Sequence, residues 1–502
     1  MRSSDPAAGA VAAALGLGTS ELLAGLVRSL PSLVEGVGNR VIDGVPKAVR
    51  DWAISVFGTA DKAVLLASIS LAVVGLGAAV GAMARRRWRS AVLAFGLFAL
   101  LAAFAAMGDP GVSPVRALVP ASASAVVGLA ALRRSLTGDG HAPDEGRRTV
   151  IRGLGALAVL AVGAGAVGRL LIENAKKVFS GREDVVLPVA AEPLPAAGPG
   201  ADLGIPGLTP VFVPNDDFFR IDTALFVPRV GATDWALEIT GAVDRPYRLT
   251  YEEILEMPLV ERDVTLSCVS NRVGGELVGN ARWLGVPLRD ILDRAGPRLG
   301  GEQVVARSVD GFTAGFPIEA AYDGRDALVA VGMNGEPLPY EHGFPARLVV
   351  AGLYGYVSAT KWLASLELVG WDEFDAYWIR RGWAKEGPVH TQSRIDTPAD
   401  FEEVPSGAPV TVAGVAWAPS RGIGKVEVRL GDDAGWVEAE LSDPLSVSAW
   451  VQWKVDWAPP SPGRYRITVR ATDGDGVLQD GTERSPAPSG ATGWHSVRVD
   501  VA

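Results

Sequence analysis

Thr265-Leu266-Ser267-Cys268-Val269-Ser270-Asn271-Arg272 contains Cys268, the only cysteine among 502 residues. Residues 262–267 alternate apolar and polar side chains, which predicts a strand running into Cys268. Gly274, Gly275 and Gly279 follow in a loop. A lone cysteine excludes an intrachain disulfide. Most free cysteines are small buried hydrophobes. At a strand-to-loop junction the same residue is also placed to act as a thiolate ligand or nucleophile.

Two stretches further on weigh on that choice. They are Tyr340-Glu341-His342-Gly343-Phe344-Pro345-Ala346-Arg347 and Gly355-Tyr356-Val357-Ser358-Ala359-Thr360-Lys361-Trp362. Together with Cys268-x-x-Asn271-Arg272, and in this order, they resemble the sulfite oxidase family of molybdenum enzymes over residues 210–502. The resemblance implies that the Cys268 thiolate binds molybdenum. The two dithiolene sulfurs of a single molybdopterin and oxo groups would complete the coordination. Sulfur is a soft ligand suited to such a metal, and a metal-bound thiol is held deprotonated. The resemblance further implies cofactor contacts from Arg220, Ile221, Asp222 and Thr223, which follow Phe218-Phe219. It adds Asn271, Arg272, Asp310, His342, Arg347, Ser358, Ala359, Thr360 and Lys361. A phosphate calls for cations and backbone amides, and several of these residues are suited to it. Arg220 and Trp383 join Cys268 as candidates at the reacting centre. Taken singly, each has an ordinary reading, such as a surface arginine, a loop histidine or a solvated lysine. Relative to animal sulfite oxidases, one extra residue separates Arg347 from Lys361.

Hydrophobic residues make up 48% of the chain, and mean hydropathy is +0.22. The excess lies in the first 175 residues. Uncharged or nearly uncharged stretches at 7–27, 63–84, 90–107, 117–132 and 153–172 predict about five transmembrane helices. Arg85, Arg86, Arg87 and Arg89 fill one short loop, and Arg133, Arg134, Arg147 and Arg148 another. The positive-inside rule places both in the cytoplasm, which leaves everything after residue 172 outside. The 28–62 loop repeats apolar residues at helical spacing, as a helix lying on the membrane surface would. Arg147-Arg148-Thr149-Val150-Ile151-Arg152 resembles the twin-arginine export motif, a route for folded, cofactor-loaded domains. It also reads as a plain positive-inside cluster. The net charge of -10 and the lack of a basic tract interleaved with aromatics exclude nucleic-acid binding.

Residues 176–210 form an Ala/Pro/Gly-rich linker. Residues 211–398 mix short strands (235–243, 262–267, 304–309, 327–331) with short helices (250–255, 286–296), an α+β pattern. Thr250 with Glu253 forms a capping box, and Gly296 stops the second helix. No phosphate-binding glycine loop of the Rossmann or Walker type appears. Residues 389–396 read as a link. Residues 405–502 carry alternating runs separated by Gly, Asp and Pro turns, a β-sandwich. Its closing Trp494-His495-Ser496-Val497-Arg498 resembles the family's, which implies an immunoglobulin-like dimerisation domain and a homodimer. The expected architecture is therefore multi-domain: an N-terminal transmembrane α-helical bundle, an α+β sulfite-oxidase-type molybdopterin-binding domain and a C-terminal immunoglobulin-like β-sandwich.

Two positions depart from sulfite oxidases of animals and plants. Val273 stands where they carry a second arginine, and Trp383 where they carry an active-site tyrosine. The expectation is the same metal chemistry on a different small-molecule substrate. The reaction would be a two-electron oxidoreduction, with oxygen-atom transfer, at the extracytoplasmic face of the cell membrane. With one cysteine there is no Cys-x-x-Cys-His and no iron–sulfur ligand set. The four histidines lie outside the expected spans, so neither haem nor cluster is expected. Electrons then pass to or from an external cytochrome or quinone-linked protein. The rival readings are a true sulfite oxidase, a sulfoxide reductase, and a cofactor-free membrane-tethered binding protein.

Overall fold

The computed structural model describes residues 5–27, 30–45, 49, 56–57, 61–108, 112–137, 155–168, 181–223 and 227–502. The Arg147-Arg148 motif lies outside them. The chain divides into two compact units, one formed by residues 1–179 with 223–227 and the other by the rest.

The first unit is helical: α1 (Asp5–Leu26), α2 (Leu33–Gly44), α3 (Asp61–Ala84), α4 (Trp88–Ala106), α5 (Pro114–Thr137) and α6 (Gly155–Gly168). Four of these (α1, α3, α4 and α5) are long and apolar enough to cross a membrane, whereas the described part of the fifth expected span is shorter. Small residues set the packing. A Cβ on Gly9 of α1 would lie 2.6 Å from Gly81 Cα of α3, so only glycine lets the two backbones approach this closely. Arg85 closes that end with an ion pair to buried Asp5 at 3.1 Å. The 28–62 loop carries α2, whose N-cap Ser32 accepts from the Glu35 N–H.

The second unit is built on four sheets. One runs β2 (Tyr247–Thr250), β1 (Ala236–Gly241), β10 (Leu363–Val369), β5 (Gln303–Ser308), β6 (Thr313–Pro317). Another runs β3 (Val260–Ser267), β4 (Val278–Pro287), β7 (Ala327–Met333), β8 (Glu336–Pro337), with β9 (Arg347–Val350) also on β7. The helices are α7 (Tyr251–Leu255), α8 (Leu288–Ala295) and α9 (Gly355–Ser358). Thr250 and Glu253 form the expected capping box, and Gly296 caps α8 in the left-handed region.

The last two sheets share one core. The first is β11 (Gln392–Thr397), β13 (Val410–Trp417), β17 (Val451–Trp457), β16 (Glu440–Leu441). The second is β12 (Glu402–Val404), β19 (Ser496–Val501), β18 (Gly463–Asp473), β14 (Ile423–Leu430), β15 (Trp436–Glu438). Val412, Trp453 and Val455 from one meet Val428, Ile467 and Val499 from the other. Most of the 389–396 stretch, read above as a link, belongs to this layer: β11 pairs antiparallel with β13. Its alternation is short, and only the partner strand reveals it.

Residues 181–210 are also more than a linker. Ala191 N–H donates to Leu259 O at 2.7 Å. Arg182 donates to Leu338 O and Pro337 O, and Leu203 N–H to Gln452 Oε1 at 2.7 Å. Without a regular period, such a strap gives no pattern by which sequence alone could find it.

Candidate functional site

Strand β3 delivers Cys268. Its full length pairs with β4, ending at Ser267 opposite Val278, so the next residue leaves the sheet. The loop closes on itself at once. Cys268 N–H donates to Leu277 O at 2.9 Å, and Asn271 N–H to Cys268 O at 3.0 Å. Asn271 Oδ1 accepts the Leu277 N–H at 3.0 Å. Asn271 is thus buried inside the loop, while Arg272 is exposed beside it. Cys268 keeps part of its surface accessible. Burial by the surrounding protein pushes its thiol pKa up, against the Ser270 N–H that donates to Sγ at 3.4 Å. The unliganded thiol is therefore protonated, and binding a soft cation displaces that proton.

A second group of predicted residues gathers around Asp222. Lys361 Nζ bonds its carboxylate directly, and Arg220 Nε lies 2.5 Å away. Lys361 also donates to Glu341 O at 2.9 Å. Arg347 donates to His342 O at 3.1 Å and stacks over Trp283 at 5.0 Å. His342 Nε2 lies 2.7 Å from Asn215 O. Gly343, at φ +112, lets its backbone pass Lys361: a Cβ there would sit 3.0 Å from Lys361 Cα.

Two cations, Lys361 and Arg220, thus contact one carboxylate, and the buried Arg347 lies close enough to feel it. Burial alone would raise the pKa of Asp222, but Lys361 and Arg220 outweigh it and hold the group low. Burial drives Lys361 down to about 8 despite Asp222, and Arg347 down to about 10. It also drives His342 down to about 4, so the imidazole is neutral at physiological pH. Buried positive charge in excess of its partners favours an anion. Beside Lys361, the Thr360 hydroxyl is buried with no hydrogen-bond partner, a polar atom that a ligand would satisfy.

Phe218 joins the two groups. It packs against Gly279, where a Cβ would lie 2.8 Å from its ring. Gly279 pairs with Leu266, two residues before the cysteine. The same ring meets His342 edge-on at 5.5 Å. Helix α9 is a second link. It starts at Gly355, near Ser267 O, and ends at Ser358, whose hydroxyl donates to Leu353 O and Tyr354 O. Ala359, Thr360 and Lys361 follow.

Other predicted residues stand apart. Asp310 caps its own turn, accepting the Phe312 N–H at 3.1 Å. Ile221 is 48% exposed, and Thr223 groups with the other unit. Trp383 packs on Tyr356 and Trp378, with ring centroids at 5.9 and 6.3 Å. Sequence reasoning missed Tyr354. It is buried, precedes Gly355, and carries a pKa raised to about 12, first by burial and further by Cys268. A tyrosine flanking a glycine gives no signal of its own.

Comparison with known proteins bears on the same region. The Oxidoreductase molybdopterin binding domain model matches residues 224–378. "Sulfite oxidase, mitochondrial" of Homo sapiens is 29% identical over 346 residues, covering 59% of this chain and 63% of that protein. "Nitrate reductase [NADH] 1" of Arabidopsis thaliana is 30% identical over 291 residues, covering 46% of this chain and 32% of that one. The chain thus spans less than two thirds of the length of these relatives. Among solved structures, the Sulfane Dehydrogenase SoxCD from Paracoccus pantotrophus shares the fold, with a TM-score of 0.50 at 23% identity, covering 58% of this chain and 81% of that one. A molybdopterin phosphate fits the surplus of buried positive charge and the orphaned Thr360 hydroxyl, and the lone thiol on the adjoining loop fits a soft metal. By these matches and by what its residues can hold, residues 224–378 carry an oxidoreductase molybdopterin binding domain, and the chain is similar to sulfite oxidases and nitrate reductases around it.

Proposed function

We propose that this protein is a membrane-anchored molybdenum-cofactor oxidoreductase working at the extracytoplasmic face on a small, weakly charged substrate. The observation that carries the reading is the pair of buried cations Lys361 and Arg347 beside the carboxylate of Asp222, with the exposed Arg220 bonded to the same carboxylate, and with Phe218 linking the group to the Cys268 strand. When bound, the cofactor supplies the two-electron change and the oxygen-atom exchange. The chain supplies the rest. Cys268 offers the thiolate. Lys361, Arg347 and Arg220 offer charge to a phosphate, and Thr360 a hydroxyl. Neutral His342 keeps its Nε2 proton on Asn215 O, which leaves Nδ1 to accept.

The substrate side is aromatic. Val273 packs toward Gly493, and Trp383 adjoins Tyr356. Cations of the sandwich near His390 are neutralised in pairs, Arg421 with Asp473 and Arg484 with Asp480. Residues Cys268, Trp383 and Arg220 remain the proposed catalytic set. Electrons exchange with an external cytochrome or quinone-linked protein, without haem or iron–sulfur clusters in this chain. The last two sheets form an immunoglobulin-like domain that pairs two copies.

Elemental and pterin analysis of the purified full chain tests the reading. One molybdenum and one single-pterin cofactor per chain are expected. A chain without either is a cofactor-free binding protein.

A further inference from the structure

We propose that Arg394 and His495, both in the carboxy-terminal sandwich, are positioning residues for the Cys268 loop, so that this sandwich is part of the redox site. Beyond its contact with the sheet, the 268–277 loop is held mainly by its own hydrogen bonds. From outside, Arg394 Nη1 donates to Gly275 O at 3.0 Å. The rest of that guanidinium is fully committed: Nε bonds Asp396 at 2.6 Å and Nη2 bonds Thr209 Oγ1 at 2.8 Å. A fork pinned at its other prongs holds Gly275 at a fixed point.

His495 acts on the neighbouring residue. Its Nδ1 accepts the Ile395 N–H at 3.0 Å, which fixes the tautomer with the proton on Nε2. The far edge of the ring then faces Gly274. A Cβ on that glycine would fall 2.2 Å from Cδ2 and 2.3 Å from Nε2. The ring is therefore a wall against which the loop rests.

Force applied at these two glycines reaches the cysteine. A Cβ on Gly275 would lie 2.4 Å from Asn271 Oδ1, the atom that also accepts the Leu277 N–H. The Asn271 N–H in turn holds Cys268 O. These two outside contacts start from adjacent residues of β11, Arg394 directly and Ile395 through His495, and Val273 adds a third at Gly493. One strand of the sandwich thereby sets where the thiol points. Small displacements of a ligand or reacting group are costly to rate, and partners behind a ligand are a common place to lose them.

This inference rests on the cofactor reading, and the test keeps the two apart. The full chain, with cofactor, would be compared with His495→Asn, Arg394→Lys and Thr209→Val. An asparagine oxygen can take the place of Nδ1 and keep the Ile395 N–H, while the wall against Gly274 is removed. Lysine keeps a charge for Asp396 but cannot fork to Gly275. Thr209→Val loosens only one prong and gives the smallest change. Expected are unchanged metal and pterin content and amide exchange of residues 269–277 faster by about tenfold. Also expected are an altered paramagnetic spectrum of the one-electron-reduced metal and a kcat lower by about ten- to a hundredfold with KM little moved. The inference is overturned if exchange and spectrum match the parent in the variants that fold. Parent protein without molybdenum would instead end the cofactor reading, and the exchange measurement would still decide the loop.

Discussion

At the scale of single residues, the site depends on two groups that burial has moved from their usual behaviour. Burial raises the Cys268 thiol, so metal binding must release a proton. Cys268→Ser keeps the size but offers a poor soft-metal ligand. Pterin content should stay near the parent value while turnover disappears, and full turnover in the serine variant would remove the thiolate from the mechanism. Lys361 is moved the other way, to about 8. Its neighbours are Asp222, Arg220 and Arg347, with the Trp362 ring 4.6 Å from Nζ. In the cofactor-free chain the ammonium loses its proton through pH 8, whereas an unfolded lysine keeps it to about 10.4. A phosphate bound there favours the charged form. From about pH 8 up to the higher pKa of the phosphate-bound lysine, binding takes up a proton, and affinity should fall by about tenfold per unit as pH rises. Measured retention of the cofactor against pH should show that slope, and Lys361→Arg should flatten it.

At the scale of elements, the legible parts of the fold are those with a local signature. Thr250 and Glu253 announce α7, Gly296 ends α8, and the alternation before Cys268 marks β3. The proposed cofactor residues His342, Arg347, Thr360 and Lys361 are legible as a group because they sit close together along the chain. Asp222 is more than a hundred residues from Lys361, and only the fold brings it to the ammonium. Strand β11 and the 181–210 strap were missed because their partners are distant in sequence. The same distance hides the joint between β3 and the sandwich. Thr265 N–H donates to Ser448 O at 2.9 Å. Its hydroxyl donates to Asn280 Oδ1 at 3.0 Å and accepts the Trp450 N–H at 2.8 Å. Trp450 itself is fully buried. Thr265→Val preserves the shape but strands a buried donor and a buried acceptor. A loss of about 1–3 kcal/mol per stranded group is expected, read as a lower denaturation midpoint with an unchanged slope. An unchanged midpoint would mean the joint contributes nothing to stability.

At the scale of the molecule, orientation and substrate belong together, because under the proposed anchoring the side of the membrane decides which partners can reach Cys268. In the proposed orientation, Arg85, Arg86 and Arg87 between α3 and α4, Arg89 at the start of α4, and Arg133 and Arg134 at the end of α5 face the cytoplasm by charge. A reporter that works only outside the cytoplasm should then be active when joined after residue 180 and silent when joined after residue 87. The reverse pattern would place the catalytic unit inside. Substrate is the harder inference. Val273 lies 3.4 Å from the position a Cβ on Gly493 would take, and Trp383 stacks among aromatic rings. Neither side chain adds a charge that could help hold a dianion. Each missing charge-assisted hydrogen bond is worth about 1.5–3 kcal/mol. Two such losses, if they add, weaken transition-state binding of sulfite by about two to four decades. The exposed Arg272 sits one residue from Val273 and is the compensation that the geometry offers. Sulfite should therefore be a poor substrate, and Val273→Arg should improve it by at least about tenfold, since one restored contact of 1.5 kcal/mol suffices for that. Steady-state rates with sulfite and a one-electron acceptor decide the matter. A parent kcat/KM above about 10⁶ M⁻¹s⁻¹, with no gain from Val273→Arg, would show that Arg272 already meets the anion and that the site is built for sulfite.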